Sequence, residues 1–423
     1  MDRPQLSDRS PLPGNPCFKF IITYIMRRYL SAPESSPLLS SVNAIERIAS
    51  DKVSISGEVS NASRSRAAIN SRSVCITIRS VFADNARSPI YRQLMIWFLF
   101  PVIARFSCLS GAARFPTLGA VYAEGRDFRL EQGGRVLRRL PGSTMPFLTR
   151  ERLYPSPERA VLFPDEGANA IGSASGSPTG LVCFDRADFF ARHQVSIDYR
   201  TRAPFPAIPA ADPAKLPKTR KCLCEKKLLD IAFIGDSITD GWNSTEKVGV
   251  APGQAPWPGL VTERLSRRTS CRMVNGAVSG SGSASGVEHL EACCREFPPA
   301  LLFIAYGMND LSHLSEEGFG RNISRIVDAG LAKNPDMEFV LVSQMSGNPE
   351  WDLTPAGKDT VFARKLRQIA EDGGARLAYA PVNELWHALI AGKRFLDVTG
   401  NGVNHPNDYG HRIYAAAAAS VWD

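Results

Sequence analysis

From Leu228 onward, apolar runs of strand length alternate with amphipathic stretches of helical length. The segments 228–235, 271–278, 300–307, 338–345 and 376–382 read as strands, because near-continuous Val, Ile, Leu and Phe is what a strand covered on both faces requires. Helical spacing of apolar positions predicts helices over 258–268, 286–297, 315–333, 360–373, 383–392 and 407–422. Alternation of this kind predicts a three-layer α/β/α domain over residues 225–423, with a parallel five-stranded sheet of flavodoxin-like type covered by helices on both faces.

Upstream the period shortens. The stretch 120–143 alternates apolar and polar positions around Gln132-Gly133-Gly134, a hairpin pattern, and short apolar runs recur at 160–163 and 193–201. Together these predict a small β-sandwich-like accessory domain over 116–203. Residues 204–224 are rich in proline and read as a stiff linker. Residues 1–115 show no strong period and are expected to be an extension that is disordered or foreign to the mature protein. Within them, the run 95–104 has the length of a signal-peptide hydrophobic region. A true start near Met95 would make the protein secreted; otherwise a cytoplasmic protein is expected.

Charge changes this picture only at one end. The net charge is +8. Residues 1–115 hold 15 Lys and Arg against 7 Asp and Glu, and the remaining residues balance at 35 of each. The basic excess therefore lies wholly outside the α/β region, which gives no support to nucleic-acid binding there. No apolar run is long enough for an integral membrane segment. The nine cysteines fall in no CxxC pair and no zinc-ligand spacing, so no metal is expected.

Candidate chemistry begins where the first strand breaks, at Gly235-Asp236-Ser237. A serine there stands at the carboxyl end of a central strand, the edge at which open α/β sheets bind ligands. Three further stretches take similar positions: AVSGSG around Gly280, Gly307-Met308-Asn309-Asp310, and His405 in NHPND. Together the four blocks resemble the SGNH hydrolases, also called GDSL-type esterases and lipases, over about residues 228–423. The first block departs only in having Ile238 for the usual Leu, and Gly307-Met308-Asn309-Asp310 fits the GxND block without departure.

The resemblance implies a serine hydrolase that cleaves carboxylic esters through an acyl-enzyme and needs no cofactor. Ser237 would be the nucleophile and His405 its base, because a serine hydroxyl attacks only when an imidazole takes its proton. The backbone N–H of Ser237, the N–H of Gly280 and the side-chain amide of Asn309 would form the oxyanion hole. The family usually has an Asp three residues before the histidine, where this chain has Gly402. Asp397 is the nearest upstream carboxylate and is the favoured orienter of His405, with Asn401 or a backbone carbonyl as alternatives. Trp242 and Trp257 either line a pocket or pack.

The accessory region points, by analogy, to deacetylation of a carbohydrate or of a small ester. Acyl transfer to a sugar would use the same residues. A non-enzymatic alternative makes the protein a glycan-binding module on an inactive scaffold, which the missing Asp allows.

Overall fold

The computed structural model describes residues 113–115, 120–132, 136–197 and 208–422, all within one compact unit, Ile96–Asp423. The expectations for residues 1–112, including a start at Met95, lie outside the described residues.

Among the described residues, seven short strands precede the α/β part: β1 (Ala113–Phe115), β2 (Ala120–Tyr122), β3 (Phe128–Glu131), β4 (Val136–Arg139), β5 (Ala170–Ile171), β6 (Val182–Cys183) and β7 (Ser196–Ile197). The hairpin expected around Gln132 is β3–β4, with Phe128 opposite Arg139 and Glu131 opposite Val136. Where a small sandwich is expected, the described strands form ladders of two or three: β2-β1-β7, β3-β4 and β5-β6. Ladders that small bury too little to stand alone. The β5–β6 ladder borrows its core instead: Ala174, Val182 and Phe184 pack with Val403, and Trp351 borders the cluster. Polar ties run the same way, from Tyr154 Oη to Glu350 at 2.9 Å and from the Asp352 N–H to the Ser173 carbonyl at 2.7 Å.

The expected linker is a correction in its second half. Residues 217–225 form a helix, α1 (Pro217–Glu225), with proline in its first turn, where φ is already suited to a helix and no N–H is needed. The buried Glu338 carboxylate accepts the N–H groups of Lys218 and Thr219 at 2.8 and 2.7 Å, and Leu216 and Leu223 are buried. Prolines that read as linker punctuation are thus partly a helix start docked on the sheet.

The remaining chain alternates as expected: β8 (Leu229–Gly235), α2 (Ser237–Asp240), α3 (Trp257–Ser266), β9 (Cys271–Asn275), α4 (Gly286–Glu296), β10 (Leu301–Ala305), α5 (Glu316–Lys333), β11 (Glu338–Val342), α6 (Lys358–Asp372), β12 (Leu377–Ala380), α7 (Val382–Ile390) and α8 (Asp408–Ala419). The five strands are parallel in the order β12-β11-β10-β8-β9. Each residue of β10 and β11 is buried, Glu338 among them through its bonds to α1, while the edge strand β9 is partly exposed. Right-handed crossovers send β8→β9 and β9→β10 in opposite directions, so their helices take opposite faces. The two directions diverge between the neighbouring strands β8 and β10, which makes the carboxyl end of that pair the switch point where such sheets bind ligands. No helix among the described residues is long and apolar enough to cross a membrane.

Candidate active site

The switch point is occupied by the Gly235-Asp236-Ser237 turn. Gly235 is sterically required: a Cβ there would lie 2.3 Å from Thr239 Oγ1 and 2.5 Å from the Ala305 carbonyl. Asp236 caps α2 by accepting the Ile238 N–H at 2.9 Å, and burial together with nearby Asp310 pushes its carboxyl up to about 7. Ser237 begins the helix, so its N–H is one of the first-turn donors that a helix leaves without an intrahelical acceptor. Only 6% of Ser237 is exposed.

The neighbouring strand ends bring in the two other blocks. The loop after β9 is tied to the turn by the Val278 N–H on the Gly235 carbonyl at 3.1 Å and by Ser281 Oγ on the same oxygen at 3.3 Å, flanking Gly280 on both sides. The loop after β10 meets it: Asn309 Nδ2 donates to the Ser281 carbonyl at 2.9 Å, and the Asp310 carboxylate accepts the Ser283 N–H at 3.0 Å. One N–H of the Asn309 amide is thereby held, which aims the other. Asp310 thus joins the two loops.

His405 arrives from the loop before α8. Its Nε2 lies 2.7 Å from Ser237 Oγ. The loop is rigid for a local reason: Asn401 Oδ1 accepts the N–H groups of Val403, Asn404 and His405, each at 3.0 Å, and the His405 carbonyl accepts from the Gly400 N–H at 2.8 Å. Asn401, weighed as an orienter of the imidazole, thus holds its backbone. Burial holds the imidazole well below the usual histidine range, at about 3, with His411 and Arg186 adding to the effect and Asp240 opposing it. A neutral ring leaves Nε2 free to accept the serine proton, while the lowered basicity weakens the drive for that transfer.

Asp397 does not meet His405. Its carboxylate accepts the Arg394 N–H at 3.1 Å and pairs with that guanidinium at 3.2 Å, closing a surface turn. The atom that meets His405 Nδ1 is Asn243 Oδ1, at 2.6 Å. Sequence reasoning passes over Asn243 because it lies 162 positions from the histidine, outside every motif block. Its one local mark is a left-handed backbone, φ 63°, which asparagine tolerates better than most residues.

Trp242, Trp257 and the nearby His411 sort by packing. Trp257 is fully buried against Phe233 and Phe303 and lines nothing. His411 is buried, with Nδ1 facing the Trp257 N–H and Nε2 facing the Trp242 carbonyl, and burial lowers it to about 4. Half-buried Trp242 lies under Lys247, which pairs with Asp240 at 2.7 Å.

The described geometry is thus a parallel α/β sheet with a serine at its switch point and a histidine hydrogen-bonded to that serine. Residues 233–413 match the model of the GDSL-like Lipase/Acylhydrolase family. Among solved structures the chain is similar to a member of the lipolytic protein G-D-S-L family from Veillonella parvula (19% identity, 46% of this chain and 98% of that one, TM-score 0.37). It is similar also to a catalytic mutant of Axe2, an acetylxylan esterase from Geobacillus stearothermophilus (20% identity, 45% and 91%, TM-score 0.37). A third is a two-domain esterase active on acetylated mannans (21% identity, 48% and 52%, TM-score 0.39). No curated protein matches the sequence.

Proposed function

We propose that this protein is a serine esterase that hydrolyses acetyl esters of a carbohydrate or of a small alcohol. The observation that carries the reading is the 2.7 Å contact between Ser237 Oγ and His405 Nε2 at the sheet's switch point. Ser237 Oγ attacks the ester carbonyl carbon while its proton passes to Nε2. The carbonyl oxygen becomes an oxyanion, facing the N–H groups of Ser237 and Gly280 and the Asn309 amide, donors set in place before charge develops. The tetrahedral intermediate collapses, the C–O bond to the alcohol breaks, and the leaving oxygen takes the proton from His405. Water then repeats the sequence on the acyl-enzyme and releases the acid. The acetyl-ester substrate class rests on the β-rich segment that precedes and borders the hydrolase domain.

The test is hydrolysis by the full chain of p-nitrophenyl acetate, butyrate and octanoate and of an O-acetylated oligosaccharide, beside Ser237→Ala. Turnover falling with acyl length, and a loss on the order of 10⁴-fold or more in Ser237→Ala, are the expected results. Equal rates for the two proteins on every ester would overturn the reading.

A further inference from the structure

We infer that Asn243 is the positioning residue for His405, and that the β-rich segment takes part in the active site by setting the orientation of the Asn243 amide through the Ala187 carbonyl. The inference rests on the reading of Ser237 and His405 as nucleophile and base. It begins with a missing carboxylate. At Gly402, the position of the family's usual Asp, a Cβ would lie 2.1 Å from the Cys183 carbonyl and 3.0 Å from the Phe190 ring, and φ is +93°. The β-rich segment therefore occupies the volume that such a side chain would need.

The substitute is Asn243, which follows α2, and the same segment holds it in place. Asn243 is 4% exposed, and its Nδ2 donates to the Ala187 carbonyl at 3.1 Å while its Oδ1 faces His405 Nδ1 at 2.6 Å. Turning the amide over would set its oxygen against the Ala187 carbonyl and its NH₂ against the imidazole. The carbonyl at 187 thus selects which end of the amide the histidine meets. Because an amide oxygen can only accept, Nδ1 must carry the proton, and Nε2 is left with the lone pair that faces Ser237. Ala187 is itself held: the Asp185 carboxylate accepts the N–H groups of Ala187 and Phe189 at 2.9 and 3.0 Å, and the Asp185 N–H donates to the Asn401 carbonyl at 3.2 Å. A chain of hydrogen bonds runs from the β-rich segment through Asn243 and His405 to the serine.

An amide orients the ring without the negative charge that a carboxylate would bring. This gives a readout that packing alone would not move. The charged and titratable groups facing His405 are His411 on α8, Arg186 in the β-rich segment and Asp240 on α2. A carboxylate placed at 243 would lie nearest and favour the imidazolium. Because the base works only when neutral, raising its pKa moves the acid limb of kcat/KM upward in pH. The wild type holds this group neutral to about pH 3, so its profile carries no His405 limb between pH 5 and 8.

The experiment uses the full chain, labelled with ¹⁵N-histidine; with six histidines, His405→Ala assigns the signal. The wild type is expected to show His405 as the Nδ1-protonated tautomer. Asn243→Ala is expected to lose roughly 10²–10⁴-fold in kcat/KM, the cost of freeing the imidazole, and Asn243→Asp to move the acid limb upward by a pH unit or more, read on profiles that run from about pH 3 to pH 8 so that the wild-type limb falls within range. An Nε2-protonated His405 in an active wild type, or an Asn243→Asp profile that overlays the wild type, overturns the inference and leaves the esterase reading standing. An inactive wild type whose His405 is Nδ1-protonated supports the positioning and removes the esterase reading instead. The tautomer is read on the unaltered protein, so poor folding of either variant does not spare the inference.

Discussion

The serine side and the histidine side of the candidate site are built in opposite ways. Ser237, Gly280 and Asn309 each follow a strand of the parallel sheet by two to five residues, and adjacent strands bring those loops together without help from elsewhere. The histidine side draws on the loop at 399–407, on Asn243 after α2, and on the Cys183 and Ala187 carbonyls of the β-rich segment. One half follows from local sequence and sheet topology. The other depends on contacts between residues more than fifty and up to some two hundred positions apart, so it is the half that a substitution in the β-rich segment should disturb.

The largest effect that sharpens this contrast is on the serine side. Asn309→Ala should lower kcat on p-nitrophenyl acetate by about 10²–10³-fold, the cost of one oxyanion donor, with little change in thermal stability. Stopped-flow or steady-state assays beside a melting curve check both parts. Next comes Gly402→Ala on the histidine side. A methyl group forced against the Cys183 carbonyl at a left-handed position should cost about 2–4 kcal/mol of stability, from overpacking and backbone strain together. Denaturant titration reads it, and a wild-type midpoint would mean that the β-rich segment does not press on the loop. Smallest of all is Asp397→Ala: its carboxylate is 42% exposed in a surface pair with Arg394, a class worth about 0–1 kcal/mol. Activity should stay within about twofold; a loss as large as that of Asn309→Ala would return Asp397 to the histidine.

The same contrast explains what was legible in the sequence. The five strands and the helices between them were readable because unbroken apolar runs and helical periodicity are local signals, and the observed elements begin and end within a few residues of the expected ones. Ser237, Gly280, Asn309 and His405 stood out because each lies in a motif block beside such an element. Asn243 was not legible, since nothing within its own stretch marks it as a partner for a ring 162 positions away. Gly402 announced that the usual Asp was absent, but the reason is a carbonyl 219 positions upstream. The helix at 217–225 was hidden behind prolines that read equally well as linker residues until Glu338 was seen to accept its first N–H groups.

The central claim, that Ser237 is a nucleophile activated by His405, is tested most directly by covalent trapping. The full chain is treated with a fluorophosphonate, digested, and mapped by mass spectrometry, with His405→Ala alongside. The account predicts one phosphonylated site, Ser237, formed rapidly in the wild type and slowly or not at all in His405→Ala. Ester hydrolysis by a protein that takes up no adduct, or an adduct on any other residue, would contradict it.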